Sequence, residues 1–159
     1  MPFSKICNRI DYFLEVFTSI LMVGLVLDVT WQVMTRFFTS DPSSFTEELA
    51  RFFLIWIAFL GAAHAFRKGA HLGLDYFVEK FSDKVKGKII NLVLLFVVVF
   101  SVCILIIGGS LLSYLAWDLE QTSASLGVSI SFVYLAIPIS GLLFVLFTVE
   151  FFKNYSNKI

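Results

Sequence analysis

Between Ile89 and Trp117 the chain runs without a single charged residue. As a helix rising 1.5 Å per residue, that stretch is roughly 40 Å long, more than the hydrocarbon thickness of a bilayer. A helix that is apolar all round has to be buried, in lipid or in a large protein core. This chain has only 159 residues, 58% of them hydrophobic and 15% charged, with a mean hydropathy of +0.89. A soluble domain is usually nearer 45–50% apolar and about 25% charged, so lipid is the environment. The stretch must tilt or project from the membrane, and Gly108-Gly109 is its expected weak point.

Three further segments have the same character, about 20 mostly apolar residues being enough to span. The first covers about 11–38, with apolar bodies from Val16 to Leu27 and from Val29 to Thr35. It is too long for a signal-peptide core, and the bulky Met34-Thr35-Arg36-Phe37-Phe38 offers no cleavage site, so it is expected to remain as an anchor. The second covers about 44–67, entered after Pro42 with Ser44 or Thr46 as N-cap and acids in the first turn. The third covers about 88–117. The fourth covers about 130–152 and contains Pro138, which frees a backbone carbonyl and is expected to kink it. The fold class is therefore an all-α integral membrane protein, a single membrane domain over 1–159.

Loop charges orient the helices. Lys5 and Arg9 precede the first span, Arg67, Lys68, Lys80, Lys84, Lys86 and Lys88 lie between the second and third, and Lys153 and Lys158 follow the fourth. The other side keeps Arg36, Arg51 and the acids Asp118 and Glu120. Both termini and the middle loop are thus expected in the cytoplasm. Within that loop Leu74, Phe77, Val78, Phe81 and Val85 recur at helical spacing, opposite Asp75, Glu79 and Lys80. That pattern, about 71–86 and beginning at His71, predicts an amphipathic helix lying against membrane lipid.

A carboxylate inside a span costs about 2.5–3.5 kcal/mol on insertion scales, so Asp28 calls for a partner. Arg51 lies at matching depth on the second span, which predicts a structural Asp28–Arg51 ion pair. Glu47 stands four residues before Arg51 in the favoured order and is expected to share it. Arg36, Glu47, Glu48, Asp118 and Glu120 are exposed-loop charges available to a docking protein. The two histidines, His64 and His71, lie on one stretch of chain, without facing haem ligands or a zinc-type cluster. The two cysteines, Cys7 and Cys103, fall at different depths and form no C-x-x-C pair. No P-loop, serine elbow or glycine fingerprint occurs. The residues supply neither catalytic nor cofactor machinery, and zero net charge argues against nucleic acid.

The segments Arg36-Phe37-Phe38 and Thr46-Glu47-Glu48-Leu49-Ala50-Arg51-Phe52 resemble the small membrane subunit of tripartite ATP-independent periplasmic (TRAP) transporters. The likeness continues through Trp56, Phe59-Leu60-Gly61-Ala62-Ala63, Arg67, Gly69, His71 and Asp75, then Leu126-Gly127-Val128 and Val133-Tyr134-Leu135-Ala136-Ile137-Pro138. Ser129 departs from the pattern, where proline is expected, and puts the shape of that loop in doubt. The resemblance implies a bacterial inner-membrane protein partnered by a large membrane subunit, which holds the substrate and sodium sites, and by a periplasmic substrate-binding protein. The small subunit would brace the first and help dock the second during uptake of an organic acid, with sialic acid favoured over C4-dicarboxylates. The almost wholly apolar midplane agrees with a brace, because a self-sufficient transporter keeps polar or broken segments there. Two other readings stay open on the residues alone. One is a small homodimeric transporter coupled through Asp28; the other is a small membrane enzyme or quinone anchor.

Overall fold

The structure, a computed structural model, describes residues 2–38, 44–69 and 83–156. Four helical spans account for nearly all of them. The first is α1 (Pro2–Phe38) and the second α2 (Ser44–Arg67). The third is composite: α3 (Asp83–Phe100), a π-helical segment (Ser101–Gly108) and α4 (Gly109–Asp118). The fourth divides into α5 (Ile130–Tyr134) and α6 (Ala136–Ser156). All four are long and apolar enough to cross a membrane. Among the described residues the only extended pairing is one bridge, Thr122 to Ser129.

Three boundaries differ from expectation, the fourth span running four residues past 152 to Ser156. α1 begins nine residues before the predicted 11, because Phe3, Cys7 and Ile10 pack against the other helices and carry the helix beyond its apolar stretch. Description resumes at Asp83, and 83–86 are helical and continuous with the third span. The rest of that predicted helix, including His71, Asp75, Phe77 and Phe81, lies outside the described residues.

The π-helical segment follows from where the third span must bury its side chains. Ser101, Leu105, Gly109 and Ser113 are all buried, four residues apart. In an α-helix of 3.6 residues per turn, each such step overshoots a full turn by about 40°, so the row would drift by about 120° over three steps. Widening the turns from Ser101 to Gly108 holds the row on one face. The irregularity expected at Gly108-Gly109 ends there and begins seven residues earlier, at Ser101.

That face meets the fourth span without intervening bulk. A Cβ added at Gly109 would lie 2.7 Å from Ile137 Cγ2 and 3.0 Å from Pro138 Cδ. One added at Gly141 would lie 2.8 Å from Leu105 Cβ and 2.9 Å from Ile106 Cγ1. Above this crossing, Ser113 Oγ donates to the Ser131 carbonyl (3.0 Å) and Ser131 Oγ to the Ser113 carbonyl (2.8 Å). Small residues and reciprocal hydroxyl bonds are how helices associate where lipid removes the hydrophobic drive. Pro138 is buried in the crossing, and the fourth span breaks at Leu135, between α5 and α6. Having no N–H, Pro138 leaves the Tyr134 carbonyl without its usual helical donor.

The spans form an open row rather than a closed bundle. α2 packs between α1 and α6, and α6 between α2 and the third span, which has no substantial interface with α1. Only 6% of the most apolar stretch of α1 is buried. The core proper, Cys7, Leu14, Leu60, Ala63 and Phe147, lies where α1, α2 and α6 meet near the two termini. Substituting Gly109 or Gly141 by Val is expected to destabilise the protein by about 1–3 kcal/mol, through forced separation of the spans. Gly61→Ala, with nothing within 4 Å of its new Cβ, should not. Thermal unfolding in detergent reads the difference; equal melting temperatures for all three variants would contradict the close crossing.

Candidate functional site

The polar side chains gather at the two ends of the row. At the end carrying the termini, Arg67 on the last turn of α2 reaches both neighbours. Its Nε and Nη2 grip Glu150 of α6 as a fork, at 2.8 and 3.0 Å. Its Nη1 lies 2.8 Å from Asp11 Oδ2 of α1, and Nη2 donates to Asn8 Oδ1 at 2.5 Å. His64 Nδ1, one turn earlier on α2, donates to Asp11 Oδ1 at 2.8 Å. Lys68 lies 3.5 Å from Asp11 and 3.9 Å from Glu15. The Arg67 guanidinium also stands over the Phe147 ring, 5.4 Å from its centroid. The three principal side chains are 16% (Arg67), 8% (Glu150) and 6% (Asp11) exposed; Glu150 is held by this one cation, while Asp11 is shared with His64 and Lys68.

This centre has no counterpart among the expectations from sequence. In the sequence Arg67 stands as a loop charge and as part of the family resemblance, and Asp11 and Glu150 have no assigned role. The available signal was Glu150, the one acid within the fourth apolar stretch. An acid there asks for a cation at the same depth, and Arg67 closes the span that ends at that level.

At the opposite end Glu48, near the start of α2, reaches the loop between α4 and α5. It accepts hydrogen bonds from the Ser123 hydroxyl and from the Ser125 N–H (3.0 Å), while Leu126 N–H donates to Ser123 Oγ at 3.2 Å. The loop closes on itself through Ser123 N–H to the Val128 carbonyl (2.9 Å) and Ile130 N–H to the Gln121 carbonyl (2.9 Å). Gly127 takes φ +64°, where an L side chain is strained. Ser129, the departure from the family pattern, pairs with Thr122 and precedes α5. Glu48, expected as a free docking charge, is thus a latch within the chain. Arg36, Glu47, Asp118 and Glu120 are exposed at this end. Trp117 is 61% exposed there and packs edge-on against Phe132, 6.2 Å between centroids.

The expected Asp28–Arg51 pair does not form. Arg51 bonds Glu47 at 3.3 Å, with side chains 64% and 67% exposed. Asp28 is buried, and its Oδ2 has no hydrogen-bond partner among the described residues. Depth along the helices was matched, but Arg51 points outward, on the face it shares with Glu47. Helical rise sets depth; which face turns inward is set by packing. Ser101 Oγ is likewise buried without a partner among the described residues. Among those residues no group of three His, Cys, Asp or Glu side chains comes together to hold a metal ion.

The arrangement therefore defines a multi-pass helical membrane protein whose polar groups fasten its own helices to one another. The chain belongs to the DctQ component family of tripartite ATP-independent periplasmic transporters, whose family model matches residues 22–155. It is similar to the sialic acid TRAP transporter small permease protein SiaQ of Vibrio cholerae, 29% identical over 151 residues, covering 92% of this chain and 81% of that protein. Two putative TRAP transporter small permease proteins of Haemophilus influenzae are 28% and 26% identical, over 87% and 98% of this chain and 84% and 95% of theirs. The protein is a small permease component of a TRAP transporter and not an enzyme.

Replacing Arg67 by Met would strand the buried Glu150 carboxylate and leave Asp11 to His64 and the more distant Lys68, and a stability loss of about 3–5 kcal/mol is expected. Glu150→Gln, which keeps a hydrogen-bond acceptor, should cost less. Asp28→Asn, which removes a buried carboxyl lacking a partner among the described residues, should not destabilise the protein. Denaturant titration of the purified protein measures all three; a large loss for Asp28→Asn would show that the carboxylate has a donor after all.

Proposed function

We propose that this chain is the stationary small subunit of a sodium-coupled carboxylate importer, bracing a large membrane subunit and helping a periplasmic binding protein to dock. The observation that carries the reading is the open row of spans. Apolar side chains along α1 and the third span, among them Ile20, Val23, Leu27, Leu92, Phe96 and Leu111, are exposed over lengths that a neighbouring membrane protein could cover. Polar groups at the midplane are confined to a few buried side chains, which supports a brace rather than a conduit.

The distribution of Lys and Arg supports placing both termini in the cytoplasm. The latched loop between α4 and α5 then faces the periplasm. Its flanking acids, Asp118 and Glu120, with exposed Trp117 beside them, form a surface suited to a basic patch on the binding protein. Sialic acid is the favoured cargo, supported by the similarity to the Vibrio small permease.

Reconstitution decides the matter. Proteoliposomes holding this chain with its large subunit should take up sialic acid only with a sodium gradient and the binding protein present. Uptake by this chain alone would overturn the brace and favour a self-sufficient transporter. Reversing both charges, Asp118→Lys with Glu120→Lys, should weaken binding-protein affinity about tenfold without disturbing assembly. Unchanged affinity would place docking elsewhere.

A further inference from the structure

The third and fourth spans touch closely at Gly109–Pro138 and at Gly141–Ile106, and towards the end that carries the termini they flank an open groove. The groove is a wedge of about 530 Å³ between α3 and α6, lined by Asn91, Leu95, Val98, Val149, Phe152 and Lys153. We propose that this wedge holds one acyl chain of an anionic phospholipid, with its phosphate at Lys153 and Lys88.

Three observations carry the assignment. The first is depth. From Asn91 to Val98 the wedge runs about 10 Å along α3, about two-thirds of one leaflet of a 30 Å hydrocarbon core. Eight residues beyond Val98 the helices are closed at Ile106 and Gly141. A transmembrane helix of a partner would have to continue past that closure, whereas a lipid tail of the same leaflet need not. The second is lining. Leu95, Val98, Val149 and Phe152 are apolar, and the neighbouring Thr148 hydroxyl is already spent on the Phe144 carbonyl at 2.7 Å. The third is charge. Lys88 is exposed one turn before Asn91, at the mouth of the wedge.

Lys153 lends its stem to the wall and holds its ammonium 4.6 Å from the centroid of the Phe3 ring. Neither lysine is paired with a carboxylate among the described residues. Glu150, the acid closest in sequence to Lys153, faces the Arg67 fork instead. Two lysines at headgroup level, without a carboxylate partner among the described residues, select an anionic phosphate over a zwitterionic one. The apolar floor selects a lipid over free phosphate.

Native mass spectrometry of the full-length chain, offered phosphatidylglycerol and phosphatidylcholine with identical tails, tests this. One phosphatidylglycerol should stay bound, with roughly tenfold preference over phosphatidylcholine. Lys88→Gln combined with Lys153→Gln should reduce that preference to parity. Leu95→Trp, at an exposed position, and Val98→Trp should each fill the wedge and release the lipid, with circular dichroism confirming retained helix. Inorganic phosphate should not compete. Equal retention of the two lipids by the unaltered chain, or undiminished retention by the folded Trp variants, would overturn the proposal. So would displacement by phosphate, or a stable homodimer that excludes lipid.

Discussion

Arg67 is the point on which three of the four spans depend. In lipid, apolar side chains gain little by leaving one apolar environment for another, so helices are held by close packing and polar bonds. α1 buries so little of its apolar stretch that packing cannot fix its place alone. What it has instead is Asp11 and Asn8 on Arg67, Asp11 on His64, and the small core around Cys7 and Leu14. The same guanidinium holds Glu150 with its remaining edge, which ties α6 to the pair. A guanidinium suits this position because its fixed fork serves two carboxylates at once, which an ammonium does less well.

The second fastening works by different means. The third and fourth spans are joined by absence of bulk at Gly109 and Gly141 and by the Ser113–Ser131 hydroxyl exchange. Glu48 then links α2 to the loop that follows α4. The molecule is thus latched at both ends, while the faces between stay apolar and open. For a small permease component this is a coherent division: rigid polar joints inside the chain, and broad apolar surface left for lipid and neighbouring protein. The wedge between α3 and α6 belongs to the same plan, since the spans that touch at the glycines must part on one side of the crossing.

Much of this was legible beforehand for a simple reason. The number of spans, their approximate limits and their helical character follow from apolar run length, because a bilayer admits few alternatives to a helix. The family was legible from the motif around Thr46–Phe52 and the stretch through His71. Side-chain pairing was harder. Matching Asp28 to Arg51 by depth treated the helices as lines, and the error lay in rotation about the helix axis. Glu48 and Glu47 are adjacent in sequence, yet one closes a loop and the other faces outward with Arg51. The loop's dependence on Ser123 and Gly127 gave no periodic signal.

By itself, then, the sequence determined that this chain crosses a membrane four times, and it carried the marks of the small TRAP subunit. Those properties are set by composition and spacing along one dimension. Only the tertiary structure decided that Arg67 joins Asp11 and Glu150, that Glu48 secures the loop after α4, and that the third span widens into a π-helix to keep Ser101, Leu105 and Gly109 on one face. Each of these depends on which way a helix is turned relative to its neighbour. That rotation is fixed by a few close contacts between residues far apart in the chain.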